Sequence, residues 1–201
     1  MGQLNIENRE LENERLEFKT GDIVFLGPNL TLRKCTLVLR VAARDLILIG
    51  PRLIDCTIHV KKELKNLRWY SAFLKGCQFT GRMTGNDFGR WPYDEHPERG
   101  GIEDCDFTGA QLDACRFIDC DLSTLKLPSW PCFTFFEPMR RKRELLAVPW
   151  PKALRITMLA SLESPLETAA VTHSAAVIAK QEGVTEESLR AFLEKLDGVK
   201  L

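Results

Sequence analysis

Between Cys105 and Pro128 a large apolar residue returns at every fifth position: Phe107, Leu112, Phe117, Leu122 and Leu127. Neither regular element explains that period. On a helix, at ~100° per residue, five steps rotate a side chain by about 140° net, so these residues would spiral around the cylinder. On a flat strand, five steps alternate faces. The chain must therefore turn a corner after every fifth residue. A second register agrees, because two residues before each large one stand Cys105, Ala110, Cys115, Cys120 and then Leu125. With both registers turned inward, small and large side chains fill a narrow interior and the other three positions of each pentad face water. Those positions hold Asp106, Thr108, Gln111, Asp113, Arg116, Asp119, Asp121 and Lys126.

The pentads CDFTG, AQLDA, CRFID and CDLST resemble the pentapeptide-repeat proteins, whose repeat reads Ala, Cys or Ser, then Asp or Asn, then Leu or Phe, then two variable polar residues. The resemblance implies a right-handed quadrilateral parallel β-helix of four pentads per coil, with coils stacked ~4.8 Å apart. Spacings elsewhere agree with it. Cys35, Cys56 and Cys77 stand 21 residues apart, each opening a Cys-x-apolar triplet, and DIVFLGP from Asp22 returns 23 residues later as DLILIGP from Asp45. Ile6, Leu11 and Leu16 keep the five-residue spacing and so argue against a helix in the glutamate-rich N-terminus. The interval from Cys77 to Cys105 lengthens to 28, which marks an insertion. The expected fold is mainly β: a β-helix over residues 1–136, with a loop insertion at 86–101, followed by a small α-helical region over residues 137–201.

Composition bounds the chemistry. Lys+Arg 28 against Asp+Glu 28 leaves no net charge, which removes the electrostatic footprint of a protein that coats nucleic acid. The 7 cysteines are odd in number and accompany no export signal, so reduced thiols are expected rather than a disulfide framework. Cys115 and Cys120 are too far apart for a paired zinc-ligand motif, and the repeat cysteines point inward, where thiols are inert. His59, His96 and His173 offer no nucleophile-and-base motif. The chain is expected to carry no metal and no cofactor, to be no enzyme, and to be cytoplasmic without a membrane span.

The insertion mixes Gly, Pro, aromatics and both signs of charge, the composition of an excursion that a rigid scaffold presents for recognition. Trp91 and Tyr93 are candidate partner anchors, or else fold back onto the coils; Asp94 and Glu95 flank them, and three adjacent side chains through His96 cannot converge on one ion. Charge is sorted along the chain. Glu103, Asp104, Asp106, Asp113, Asp119 and Asp121 gather against Arg116, while Lys61, Lys62, Lys65, Arg68 and Lys75 gather against Glu63. Asp104, Asp106 and Asp121 join the loop residues as candidate partner contacts.

After Pro128 the pentads stop. SWPCFTFFEP suits a plug over the open end of the last coil, and helices are expected at 139–147, 151–162, 165–182 and 185–196, the last opened by Thr185 as N-cap. The final pair resembles a helix-turn-helix, but its second helix begins Glu186, Glu187, a poor face for phosphates. The expected function is a protein-binding module, foremost an inhibitor or immunity protein that neutralises a toxin or enzyme. Two alternatives follow from resemblance: a DNA mimic acting on a type II topoisomerase, and a helix-turn-helix regulator. Homodimerisation through the C-terminal helices accompanies the family resemblance.

Overall fold

The computed structural model describes residues 2–201. The pentad region forms a parallel β-solenoid of about four turns. Its strands are, in chain order, β1 (Gln3–Ile6), β2 (Arg9–Glu12), β3 (Arg15–Phe18), β4 (Ile23–Leu26), β5 (Leu30–Arg33), β6 (Thr36–Leu39), β7 (Leu46–Leu48), β8 (Arg52–Ile54) and β9 (Thr57–Lys65). They continue as β10 (Phe73–Lys75), β11 (Gln78–Thr84), β12 (Asp87–Gly89), β13 (Gly101–Glu103), β14 (Asp106–Asp113) and β15 (Cys115–Ile118). Three parallel sheets stack them, in the orders β1-β4-β7, β2-β5-β8-β10-β13 and β3-β6-β9-β11-β14. The glutamate-rich N-terminus is thus three strands, as its five-residue spacing implies.

Register and sequence spacing coincide. Arg9 lies beside Leu30, Thr31 beside Arg52, and Arg52 beside Phe73, a step of 21 residues that lengthens to 28 from Phe73 to Gly101. These are the intervals that separate Cys35, Cys56, Cys77 and Cys105. Directly before each of these cysteines stands a corner residue, and Asn13, Lys34, Asp55, Gly76 and Asp104 all have φ between 50° and 64°. The N–H groups of Asn13, Lys34, Asp55 and Gly76 each donate to a carbonyl one coil further on, at 2.8–3.0 Å. Left-handed backbone there reverses the side-chain direction and turns the cysteine inward. Glycine at 76 also makes room for Asp55 Oδ1 in the coil below, which a Cβ would meet at 2.2 Å. Asn8, Asn29 and Gly50 form a second such column, with Asn29 Nδ2 donating to Asn8 Oδ1 at 3.0 Å.

Inside, the thiols behave as small hydrophobes with a polar tip. Cys35, Cys56 and Cys77 each donate to the carbonyl 24 residues earlier, on Leu11, Leu32 and Leu53, at 3.3–3.5 Å. Aromatic rings fill the later coils: Phe79 stacks on Phe107 at 4.6 Å and Phe88 on Phe117 at 5.3 Å, while Phe88 meets Phe107 edge-on at 5.0 Å. Such pairs add ~0.5–1.5 kcal/mol each beyond the burial of their area. The buried indole of Trp69 donates to Asn86 Oδ1 at 3.2 Å, which settles the one polar atom it carries inside.

The C-terminal region joins one sheet of the solenoid through an antiparallel strand. It comprises β16 (Cys132–Phe136), α1 (Lys142–Ala147), α2 (Lys152–Ser161), β17 (Thr168–Ser174), α3 (Ala175–Glu182), α4 (Glu186–Leu193) and β18 (Val199–Lys200). A mixed sheet runs β12-β15-β17-β16-β18, with β17 antiparallel to β15. This corrects the helix expected over 165–182. Thr168, Val171 and Thr172 are β-branched and prefer a pleated setting, and the open edge of β15 supplies the missing partner. The buried hydroxyls of Thr134 and Thr172 meet at 2.8 Å across β16 and β17, and Asp113 Oδ1 accepts from Ser174 N–H at 3.0 Å. Ser174 is also the N-cap of α3, so the helix starts only where the strand ends. The plug segment becomes β16, which pairs with β17 and meets the last coil directly at Cys132, whose thiol donates to the Leu112 carbonyl at 3.5 Å. Thr185 does cap α4, and the apolar faces of α3 and α4 pack on Phe133 and Phe135.

Ala114 tests the corner geometry, since it is exposed and holds φ 50° with no special side chain to favour it. A left-handed residue costs ~1–2 kcal/mol, and glycine returns about 0.5–1 kcal/mol of that as chain entropy. Ala114→Gly is therefore expected to stabilise the fold by up to about 1 kcal/mol, and Ala114→Val to destabilise it. Urea midpoints at unchanged slope read both, and a lower midpoint for the glycine variant would contradict a left-handed corner.

Candidate functional site

The excursion between β12 and β13 is narrower than the insertion at 86–101. Asn86 follows the left-handed corner at Gly85 and is buried, its Nδ2 donating to the Leu64 and Thr84 carbonyls, both at 2.9 Å, and Asp87–Gly89 pair with β15. Residues 90–100 leave the coil. At their end, Gly100 is pressed against the solenoid, where a Cβ would lie 2.2 Å from the Tyr70 carbonyl oxygen.

Trp91 folds back. Its ring stacks on Tyr70 at 5.3 Å, and the Arg116 guanidinium sits 5.1 Å from its centroid. Arg116 is itself held by Asp87, with Nε to Oδ1 at 2.6 Å and Nη2 to Oδ2 at 2.9 Å. Two parallel charge-assisted bonds fix the guanidinium plane, so the indole lies on a preset surface. Tyr93, two residues on, is 75% exposed. Asp94 Oδ1 accepts from His96 N–H at 2.8 Å, Glu95 is exposed, and His96 Nδ1 lies 3.3 Å from Glu98 Oε1. The loop therefore presents Tyr93 and Glu95 from a base built of Tyr70, Trp91, Arg116 and Asp87.

The three acids assigned to the solenoid have local duties as well. Asp104 is a left-handed corner. Asp106 accepts from Thr108 N–H at 2.9 Å and Oγ1 at 2.6 Å, bonds that hold its carboxyl below the ordinary range with help from Lys126. Asp121 accepts from Ser123 in the same way and caps a 3-10 turn at Leu122–Thr124.

A basic trough lies on another face. A groove of about 780 Å³ lies between the solenoid and α3, lined by Arg82, Gln111, Trp130, Lys180 and Gln181 among others, with no carboxylate among its lining residues. Arg82 also lines a hollow of about 660 Å³ with Arg44, Lys61, Lys62, Glu63 and Lys65. Among the described residues, Lys61, Lys62, Arg82 and Lys180 make no ion pair. The lysine cluster at 61–65 was visible in the chain. Arg82 and Lys180 join it only through coil register and the docking of α3.

The thiols are not poised for chemistry. The adjacent Cys105 sulfur, followed by burial, pushes the Cys77 thiol up to about 12, and burial does the same for Cys115. His59 Nδ1 lies 2.9 Å from Thr80 Oγ1, and His173 Nε2 lies 2.8 Å from Ser161 Oγ. No family model, curated protein or solved structure matches this chain. Among the described residues no helix is long and apolar enough to cross a membrane, and no group of three or more His, Cys, Asp or Glu is arranged to hold a metal ion.

His173 gives the cap a pH signature. Full burial pushes its pKa down to about 4, whereas in the unfolded chain it titrates near ~6.5. On acidification the unfolded state takes up the proton first. The stability that His173 contributes is thus complete above about pH 6.5 and is lost as the pH falls towards 4, on the order of 3 kcal/mol. Urea unfolding of the wild type between pH 7 and 4 should show that loss, and His173→Gln should flatten this part of the profile. An unchanged slope in the variant would place the titration elsewhere.

Proposed function

We propose that this chain is a non-enzymatic protein-binding module on a degenerate pentapeptide-repeat scaffold, and that it acts as an inhibitor or immunity protein neutralising one toxin or enzyme. The family assignment rests on the pentads CDFTG, AQLDA, CRFID and CDLST together with the 21-residue coil step. The observation that carries the binding reading is the exposed Tyr93 on a base fixed by the Asp87–Arg116 pair and the Tyr70–Trp91 stack. A tyrosine held out from an ordered loop enters an interface at little entropic cost, and such residues dominate binding energies. The buried, hydrogen-bonded thiols favour a structural use of the cysteines over a catalytic one. The sorted charge favours a protein partner of matching pattern over a uniform polyanion mimic. For the helix-turn-helix alternative, α3 and α4 spend their apolar faces on Phe133 and Phe135, and the exposed start of α4 is acidic.

Co-purification from the source cell should capture one partner at equal stoichiometry. Tyr93→Ala is expected to weaken that complex at least tenfold with no change in the unfolding midpoint. Retained affinity in the variant would remove the loop from the interface, and capture of gyrase would shift the reading to topoisomerase binding.

Homodimerisation draws support from α2, whose outer face exposes Ile156 to 72% and Leu159 to 40%. Both are expected to bury against a second copy, as an exposed apolar stripe does in an interface. Light scattering should give twice the chain mass for the wild type and the single-chain mass for Ile156→Glu; a wild-type monomer would refute the dimer.

A further inference from the structure

We propose that the basic trough is the seat of an extended acidic stretch of polypeptide supplied by the protein partner, an assignment that rests on the protein-binding reading above. The trough is built by an irregularity in the solenoid. Gly81 lies beside Val60 and Met83 beside Leu64, so Lys61, Lys62 and Glu63 of β9 stand opposite Arg82 alone. Extra residues in a bulge project away from the ladder, which re-aims the two lysines outward. On the next strand Gln111 lies beside Arg82, and Lys180 of α3 closes the groove beyond it. Lys61 and Lys62 on one coil and Arg82 on the next thus stand on strands ~4.8 Å apart, with the neutral Gln111 between Arg82 and Lys180.

Length, charge and lining together select the occupant. The groove and the hollow beside it meet at Arg82, and a further hollow of about 500 Å³ shares Arg44 and Lys65, so the basic surface is elongated rather than a single pocket. An extended chain places every second side chain on one face about 6.8 Å apart, so alternate acidic residues reach successive cations. Gln111, Gln181 and Thr108 add amide and hydroxyl groups that can bond peptide N–H and C=O. A single-stranded nucleic acid fits less well. Such strands are bound through successive aromatic platforms, whereas the trough offers Trp130 alone, with the Arg190 guanidinium already 5.6 Å from its ring. Glu63 inside the trough, bonded to Thr84 and 3.5 Å from Lys65, also opposes a chain that carries charge at every unit.

Fluorescence anisotropy on the full chain tests the assignment. The probes are a labelled dodecapeptide of alternating Glu and Ala, and a labelled twelve-nucleotide single-stranded DNA. Binding of the peptide that weakens with salt, and that falls at least tenfold in Arg82→Glu/Lys180→Glu but not in Lys142→Glu/Arg143→Glu, is the expected result. Equal loss in the second pair would mean undirected charge attraction and would overturn the proposal. So would tighter binding of the DNA, or no binding of the peptide at low salt. Tyr93→Ala should bind the peptide as the wild type does. Failure of peptide binding alongside a Tyr93-dependent partner complex would leave the module reading intact and reject only the trough.

Discussion

The hydrogen bonds between coils are the constraint from which the other features follow. Each solenoid strand satisfies its N–H and C=O groups on the strands one coil away, so the corners must superpose or the ladder breaks. A left-handed residue at the same place in each coil meets that demand. The column Asn13, Lys34, Asp55, Gly76 and Asp104 runs through the solenoid, and the N–H groups of its first four members are themselves rungs between coils. Asn and Asp tolerate that conformation best among residues with a side chain, and they dominate the columns. The cysteine that follows each later corner is then forced inward, where a larger side chain would crowd the coil.

A stack of this kind has two ends, each exposing strand edges that would recruit other chains. One edge of the last coil is covered from within the molecule by β17, which adds antiparallel to β15 and carries the helices with it. At the other end, β1 to β3 bear Arg9, Glu10, Glu12, Arg15 and Glu17 on outward positions. Arg33, Lys34 and Arg40 of the next coil pair with Glu10, Glu12 and Glu17. Exposed pairs of this sort contribute little to stability, but a charged edge is a poor template for a further strand.

How far this was legible from the residues depended on whether the signal was periodic. The pentads at Phe107, Leu112 and Phe117 and the spacing of Cys35, Cys56 and Cys77 carried the solenoid, because a repeat imposes the same local demand on every coil. The capping strand was opaque. TAAVTHS lies between a proline-led segment and a true helix, and only the free edge of β15, a tertiary fact, makes it a strand. Trp91 was legible as a residue of consequence, but its stack on Tyr70 and Arg116 depends on a coil alignment that the insertion itself shifts. The trough was half legible: Lys61 and Lys62 advertise themselves, whereas Arg82 and Lys180 are brought to them by β-register and helix docking.

The molecule's zero net charge conceals how its charges are used. Carboxylates at Asp87, Asp106, Asp113 and Asp121 accept hydrogen bonds from a guanidinium, hydroxyls or backbone N–H groups. Their orientation is fixed by the fold, and several hold corners and caps that the coils require. In the trough, among the described residues, Lys61, Lys62, Arg82 and Lys180 make no ion pair, whereas Lys65 and Arg44 beside them pair with Glu63 and Asp45. Hydrogen-bonded negative groups near the cap and positive groups beside it produce a sorted field rather than a uniform one. Such a field does little for bulk affinity but orients a complementary partner during approach and rejects one of the wrong pattern. A scaffold whose backbone is fixed by stacked corners leaves its surface residues open to exchange while each coil keeps its inward pair.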